Sequence, residues 1–476
     1  MPPVVSCSLF SAMRPLLAFL LLLCSSITAH AQTVDGGVVA GRKIYLRQLV
    51  ITGNRVTRRS IILRELSVQE GRSIAVDSID YLLKESQLRL LNVSLFTMVD
   101  VRSVRVSEDT ADWQVNVKER WYIIPKPAFQ LADRNFNVWW KEQNRDASRA
   151  NFGLTVTDKN FRGNLELLSA TVQVGYTQKI MLDYIRPYLD KQQRHGIGFS
   201  FSTSQSGELA YATDSNKLRF ARLPGTHIIR QYDGGISYTY RPAYAVRHTL
   251  QLSYTDVKIA DTVLSLNPGY FEQGKDHLQY AALTYRLELN YVDNWNYPLK
   301  GFKMVTYALV RKGLQGMDYQ AQLRTEAGQF NQPWPKWYTA IIFRGRLSTP
   351  DDVPYYFRTA LGTKTDYVRG YEYYVMDGDH YGVLRLNLKR ELFNSTLFRL
   401  PFRYLPSLPV RVYPKVFADA GYVHDRFPGN SMLSNKIVYS AGLGVDILSA
   451  YDVKIRIEFA RNHLGENGLF LHLNSE

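Results

Sequence analysis

The sequence predicts a mostly β fold: a 16-stranded antiparallel transmembrane β-barrel preceded by one small α/β domain. Three observations predict it. From residue 121 onward the chain divides into segments of about ten residues that alternate apolar and polar side chains between turn residues, the periodicity of membrane strands. Aromatic residues make up 13% of the chain, with 32 Tyr against 7 Trp, a usage that suits strands and interfacial girdles. After the N-terminus no apolar run approaches the ~20 residues of a spanning helix, and the mean hydropathy is −0.23. A chain of this kind that crosses a membrane does so as a closed barrel.

Residues 1–31 read as an export signal. Arg14 supplies the positive end, Leu16 to Cys24 the apolar core, and Ala29-His30-Ala31 a small-x-small cleavage site before Gln32. Met13 is an alternative start. A lipoprotein reading of Cys24 is disfavoured by the bulky Leu23 before it. Both cysteines, Cys7 and Cys24, fall in the removed part, so the mature chain has no thiol chemistry. Removal takes away one base, Arg14, and no acid, so the formal charge of +15 becomes +14. A basic barrel lumen accounts for that balance better than nucleic-acid binding.

A linker at 32–43 leads to the small domain at 44–120. "IYLRQLVITGN" reads as a strand closed by the Gly53-Asn54 turn, and "TRRSIILREL" as a short helix ended before Gly71. "VDSIDYLLKESQLRLL" is a second helix, with Asp77 as N-cap and Ile79, Leu82 and Leu83 on one face. "MVDVRSVRV" and "WQVNVKER" are strands, giving the order β-α-α-β-β. With "ITGN", "RELSVQEG", "LNVSLF" and "VNVKE" in sequence, the segment resembles a polypeptide-transport-associated (POTRA) domain in a single copy. The resemblance implies a periplasmic module that offers a strand edge to clients, since unpaired N–H and C=O groups make strand addition cheap.

The barrel occupies 121–476. Its strands are expected at 121–133, 148–157, 164–176, 178–187, 194–205, 227–241, 246–258, 276–293, 302–312, 317–331, 336–349, 381–393, 409–424, 436–448, 452–463 and 467–474, with 206–226 unassigned. Facing is read from alternation. In "YDVKIRIEFAR", Val453, Ile455, Ile457 and Phe459 point to lipid, whereas Asp452, Lys454, Arg456 and Glu458 point inward. Leu384, Leu386 and Leu388 face outward and Arg385, Asn387, Lys389 and Glu391 inward. Phe417, Asp419 and Gly421 share the inward face of "VRVYPKVFADAGY".

"DYVRGYEYYVMDGDHYG" (366–382) is too long and too aromatic for a plain connector. Its "VRGY", Val368, Arg369, Gly370 and Tyr371, resembles the loop motif of the outer-membrane assembly superfamily that includes BamA and TamA. "FADAG" (Phe417 to Gly421) is similar to that family's Phe-x-Asp-x-Gly strand motif. "LTVTDKNFRGN", "DYIRPYL", "DNWNYPLKGF", "SAGLGVDIL" and "YDVKIRIEFARN" resemble its other recurrent stretches. With the POTRA segment, the likeness covers nearly all of the mature chain. Arginine's planar fork binds two carboxylate oxygens at once. A loop folded into the lumen is therefore expected to pin Arg369 against Asp419, Glu391 or both. Gly370 allows the tight backbone, and Gly421 leaves room on the wall.

The resemblance implies a non-enzymatic assembly factor whose first and last strands meet in a weak seam. Pro125 and Pro127 cannot donate ladder hydrogen bonds, and the last strand is short and carries Gly468. Gly468, Leu471 and Leu473 also fit the C-terminal signal of barrel substrates. Expected partners are unfolded outer-membrane or secreted clients, periplasmic or lipoprotein accessory subunits, and outer-membrane lipid, with no cofactor, metal or nucleic acid. A secretion pore of the same superfamily, a passive channel and a barrel enzyme are the alternatives. "DGDH" (Asp377 to His380) lacks the further ligand positions of a calcium loop and reads as a surface turn. No Gly-x-Ser-x-Gly elbow, Walker loop or His-Glu-x-x-His helix occurs.

Overall fold

The computed structural model describes residues 42–131, 136–141, 144–223, 225–272, 274–314, 317–363, 366–402, 405–449 and 453–472. The expected export signal and Leu473 lie outside the described residues.

Alternating apolar residues and two helical stretches build the first sheet. Strands β1 (Lys43–Thr52), β2 (Ser73–Ala75), β3 (Phe96–Ser107) and β4 (Thr110–Glu119) are ordered β2-β1-β4-β3, with β1 and β4 parallel. Helices α1 (Arg59–Glu65) and α2 (Ile79–Asn92) cover one face. Leu46, Leu49, Ile61, Ile62, Leu90, Phe96 and Trp113 form the core between them. The three-residue β2 between the helices was not legible in the sequence.

The second sheet is a closed barrel. Its strands are β5 (Ile123–Leu131), β6 (Ala150–Phe161), β7 (Glu166–Gly175), β8 (Thr177–Arg186), β9 (His195–Ser206), β12 (Ile229–Ala243), β13 (Val246–Ile259), β14 (His277–Val292), β15 (Gly301–Gly313), β16 (Gln320–Trp334), β17 (Trp337–Thr349), β20 (His380–Arg390), β21 (Phe393–Phe402), β22 (Leu405–His424), β23 (Ile437–Leu448), β24 (Lys454–Asn462) and β25 (Asn467–His472). β20 and β21 lie end to end on β22, in registers Lys389↔Lys415 and Phe393↔Val412 that differ by one residue. They are two halves of one stave broken at Glu391-Leu392, so seventeen segments make a barrel of sixteen staves. No helix of the described residues is long and apolar enough to cross a membrane.

Facing follows the period-2 rule. Leu386, Val416, Leu443, Ile457, Phe459 and Leu469 are exposed on the outside, while Arg385, Asn387, Lys415, Asp419, Arg456 and Glu458 are buried inside. An apolar outer band around a polar interior is the arrangement a bilayer demands. The unassigned stretch 206–226 holds a hairpin, β10 (Glu208–Asp214) and β11 (Lys217–Arg222), projecting between β9 and β12. Its turn residues Ser215 and Asn216 both have positive φ, a two-residue turn whose Asn was the available signal.

The small domain sits on the rim formed by the turns after β6, β8, β12 and β14; we call this rim proximal and the opposite one distal. Glu65 receives Arg241 Nη1 at 2.6 Å and Nη2 at 3.0 Å, and Tyr188 donates to it at 3.2 Å. Tyr188, from "DYIRPYL", also packs into the small domain's core. Removing one partner of a buried pair leaves the other charge uncompensated, a cost of about 3–5 kcal/mol. Glu65→Ala is therefore expected to loosen the small domain on its rim. Hydrogen exchange should speed up at Thr57 and Tyr122, which bond across the same junction at 2.8 Å, while the barrel keeps its heat-resistant mobility. Unchanged exchange would show that this pair does not hold the junction.

Candidate functional site

Between β17 and β20 the chain runs through α4 (Tyr355–Arg358), β18 (Thr359–Leu361) and β19 (Met376–Asp377). Before β19 it turns down into the lumen. Val368, Tyr371, Leu361 and Met376 are buried with Val383, Val423 and Val438 of the wall, so the loop carries its own apolar anchor. Gly370 has φ +85, and a Cβ there would lie 3.3 Å from the Cβ of Ala460. Its carbonyl accepts from Asn462 Nδ2 at 2.9 Å. Both the left-handed backbone and the close wall call for glycine at this point. Tyr371 bonds the His463 ring and donates to the Tyr439 carbonyl at 3.4 Å.

Arg369 is fully buried and reaches three staves. Its Nε and Nη2 donate to the two oxygens of Asp419 at 2.8 and 2.5 Å, and its backbone N–H donates to Asp419 Oδ2 at 3.1 Å. Nη1 donates to Asn387 Oδ1 at 2.8 Å and to Glu458 Oε1 at 3.1 Å. The guanidinium carbon lies 3.9 Å from the centroid of the Phe417 ring. A fork on one carboxylate, a third bond, a second carboxylate and an aromatic face together define one pose, which a lysine ammonium could not occupy.

The pairing continues down the wall. Lys415 Nζ bridges Glu458 Oε1 at 2.8 Å and Asp446 Oδ1 at 2.7 Å. Asp446 also accepts from Arg456 Nε at 3.1 Å and from Tyr297 Oη at 2.7 Å. Tyr297 belongs to the proximal turn "DNWNYPLKGF". An uninterrupted polar relay thus joins the inserted loop to the rim that carries the small domain. Such a network fixes geometry more than it adds net stability, because burying the charges costs about what their attraction returns.

Of the residues singled out in the sequence, the structure brings together Val368, Arg369, Gly370, Tyr371, Phe417, Asp419 and Gly421. Glu391 is not among them. It lies past the end of β20, where it accepts from Tyr413 Oη at 3.1 Å. Four residues beyond Asn387, it is ~13 Å farther along the stave. The second carboxylate is Glu458 of β24, and Asn387 fills the remaining wall position. Both were legible as inward-facing, but alternation does not say which inward rung meets the loop.

Pro125 and Pro127 lie within β5, not in a linker, in unbroken register with Val156 and Leu154 of β6. Alternate residues send their N–H to one edge, so the two missing donors weaken a single edge. The last stave, β25, spans Asn467–His472 among the described residues; Gly468 pairs with Ala460 and Leu471 with Ile457. A short helix in the first distal loop, α3 (Phe136–Lys141), comes down beside it. Asn137 Nδ2 donates to the Leu469 carbonyl at 2.6 Å and to Tyr373 Oη at 3.4 Å, and Tyr373 packs on Phe470 at 6.0 Å. The first loop, the inserted loop and the last stave therefore meet at one point. Asn137→Ala is expected to raise the frequency of open events in planar-bilayer recordings several-fold, the cost of one lost hydrogen bond being about 1 kcal/mol. Unaltered recordings would show that this contact does not restrain the seam.

"DGDH" is not a surface turn. Asp377 pairs in β19, Asp379 is buried, and His380 opens β20. Burial, with repulsion from Asp425 and Asp351, pushes the Asp379 carboxyl up to about 6. A carboxyl raised above its unfolded value costs stability as pH rises through that range. Asp379→Asn is expected to raise thermal stability at pH 8 and to do so much less at pH 5, where the wild-type group is largely protonated. An equal gain at both pH values would contradict this environment.

No protein-family model and no curated protein sequence matches the chain. Solved structures do. BamA from Haemophilus ducreyi lacking POTRA domains 1–3 is similar over 91% of this chain and 84% of its own, with TM-score 0.51 and 17% identity. CdiB from Escherichia coli is similar over 90% and 75%, with TM-score 0.53 and 12% identity. CdiB from Acinetobacter baumannii is similar over 91% and 74%, with TM-score 0.50 and 11% identity. At such identities the likeness is one of fold, and the fold of this chain is that of the BamA and CdiB barrels.

Proposed function

We propose that this protein is a non-enzymatic outer-membrane assembly factor that inserts or translocates β-rich client proteins. The observation that carries the reading is the inserted loop. In a barrel of BamA and CdiB fold, Arg369 is held by Asp419 and Asn387 and by Glu458, whose stave β24 is the neighbour of the last strand. A closed pore needs no such contact, whereas a barrel that must open at one seam and keep its shape needs a fixed internal strut. In this reading the small domain is a POTRA module in the periplasm. Unfolded client strands add to the edge of β5 once β25 releases it.

A dedicated secretion pore of the same superfamily is the second reading, favoured by fold similarity to CdiB as close as that to BamA. Depletion separates the two. Lower levels of many folded barrel proteins support assembly, and loss of a single exported protein supports the pore. Unchanged levels of every outer-membrane barrel would overturn the assembly reading.

A further inference from the structure

On the outer face of β6 the exposed apolar series Phe152, Leu154 and Val156 stops at Asp158. On β5 the matching outward series, Phe129, Pro127, Pro125 and Ile123, ends at the exposed Trp121. These two stops mark the proximal edge of the apolar band, and a tryptophan at that level is the usual membrane-interface residue. Immediately below it, between the small domain and β5, opens a cleft of about 530 Å³. Its charged lining is Arg55, Lys118, Arg120, Arg162, Glu119 and Asp158.

Most of these groups are already engaged. Glu119 accepts from the backbone of Val56 and Thr57, Asp158 accepts from Asn160 N, and Arg120 donates to Phe96 O at 2.8 Å. Arg162 is committed to Glu166 and Tyr184. Arg55 and Lys118 are different: among the described residues neither side chain has a carboxylate partner. Two uncommitted cations thus overhang a cleft at headgroup depth, with an apolar wall directly above for acyl chains.

We propose that this cleft binds the phosphate headgroup of an anionic phospholipid whose chains lie along the outer face of β5. The site rests on the chain being a membrane barrel but not on what the barrel does to clients. A bound lipid would brace the first stave at its proximal end, where Pro125 and Pro127 weaken one edge.

Native mass spectrometry of the full chain in detergent tests the site, with phosphatidylglycerol or phosphatidylcholine added. Wild type is expected to retain phosphatidylglycerol in preference to phosphatidylcholine. The double variant Arg55→Gln with Lys118→Gln should lose that retention by about tenfold or more, and Lys84→Gln on α2, outside the cleft, should not. Correct folding of each variant is read from heat-resistant mobility, independently of client assembly. Equal retention by wild type and double variant would overturn the site. Displacement of the lipid by inorganic phosphate alone would overturn the lipid source, assigning the cleft to a free anion.

Discussion

Arg369→Ala is expected to leave a membrane-inserted barrel that has lost the proposed assembly activity. The substitution takes the forked partner from Asp419 and one of several cations from Glu458, which keeps Lys415; breaking a buried pair such as Arg369–Asp419 costs about 3–5 kcal/mol. That is enough to release a loop but not to undo a closed ladder of sixteen staves. The variant should therefore keep heat-resistant mobility with a lowered unfolding temperature, and protease should reach the 366–376 segment. Arg369→Lys restores a charge but cannot fork Asp419 while touching Asn387 and Glu458, so its activity should fall between the two. A fully active alanine variant with wild-type mobility would count against the latch.

Gly421→Val should produce the same loss with every charge left in place. A Cβ at position 421 would sit 2.5 Å from Val368 Cγ2, with Val438 Cγ2 at 3.4 Å and Leu361 Cδ1 at 3.5 Å. Val368 is fully buried and next to the arginine, so it cannot give way without moving Arg369. Overpacking of this sort costs about 1–3 kcal/mol, concentrated on the loop. The readout is a cysteine introduced as Val375→Cys, buried on the same loop and not in the contact that the added side chain makes: shielded from a membrane-impermeant thiol reagent in the parent, labelled when Gly421→Val is added. A shielded cysteine in an active double variant would show that the wall tolerates the added side chain.

Much of this architecture is legible because membrane strands obey one strong rule. Alternation located the staves and sorted Lys415, Asp419, Arg456 and Glu458 to the inside from the sequence alone. What alternation lacks is register and depth. It could not tell that Glu391 ends near the proximal rim while Glu458, on a stave far away in sequence, reaches the loop. It ended one strand at 393 and began the next at 409, and so missed β21, whose "FNSTLFRLPF" does not alternate. The hairpin β10–β11 and the helix α3 stand on distal loops, where no lipid imposes a period; the hairpin packs Leu209, Tyr211 and Ala221 on an apolar cluster of neighbouring loops and strand ends. Asn137 was invisible for the same reason: its partner is a backbone carbonyl of β25, and no side-chain pattern announces it.

The proposed role of the loop held by Arg369 is to make this barrel an assembly machine. Its most direct test is the folding rate of an unfolded barrel client added to proteoliposomes that contain wild-type protein, Arg369→Ala protein or none. Clear acceleration by the wild type is expected, with a rate near the protein-free baseline for the variant. Equal acceleration by both proteins would contradict the role of the latch, and no acceleration by the wild type would contradict the function itself.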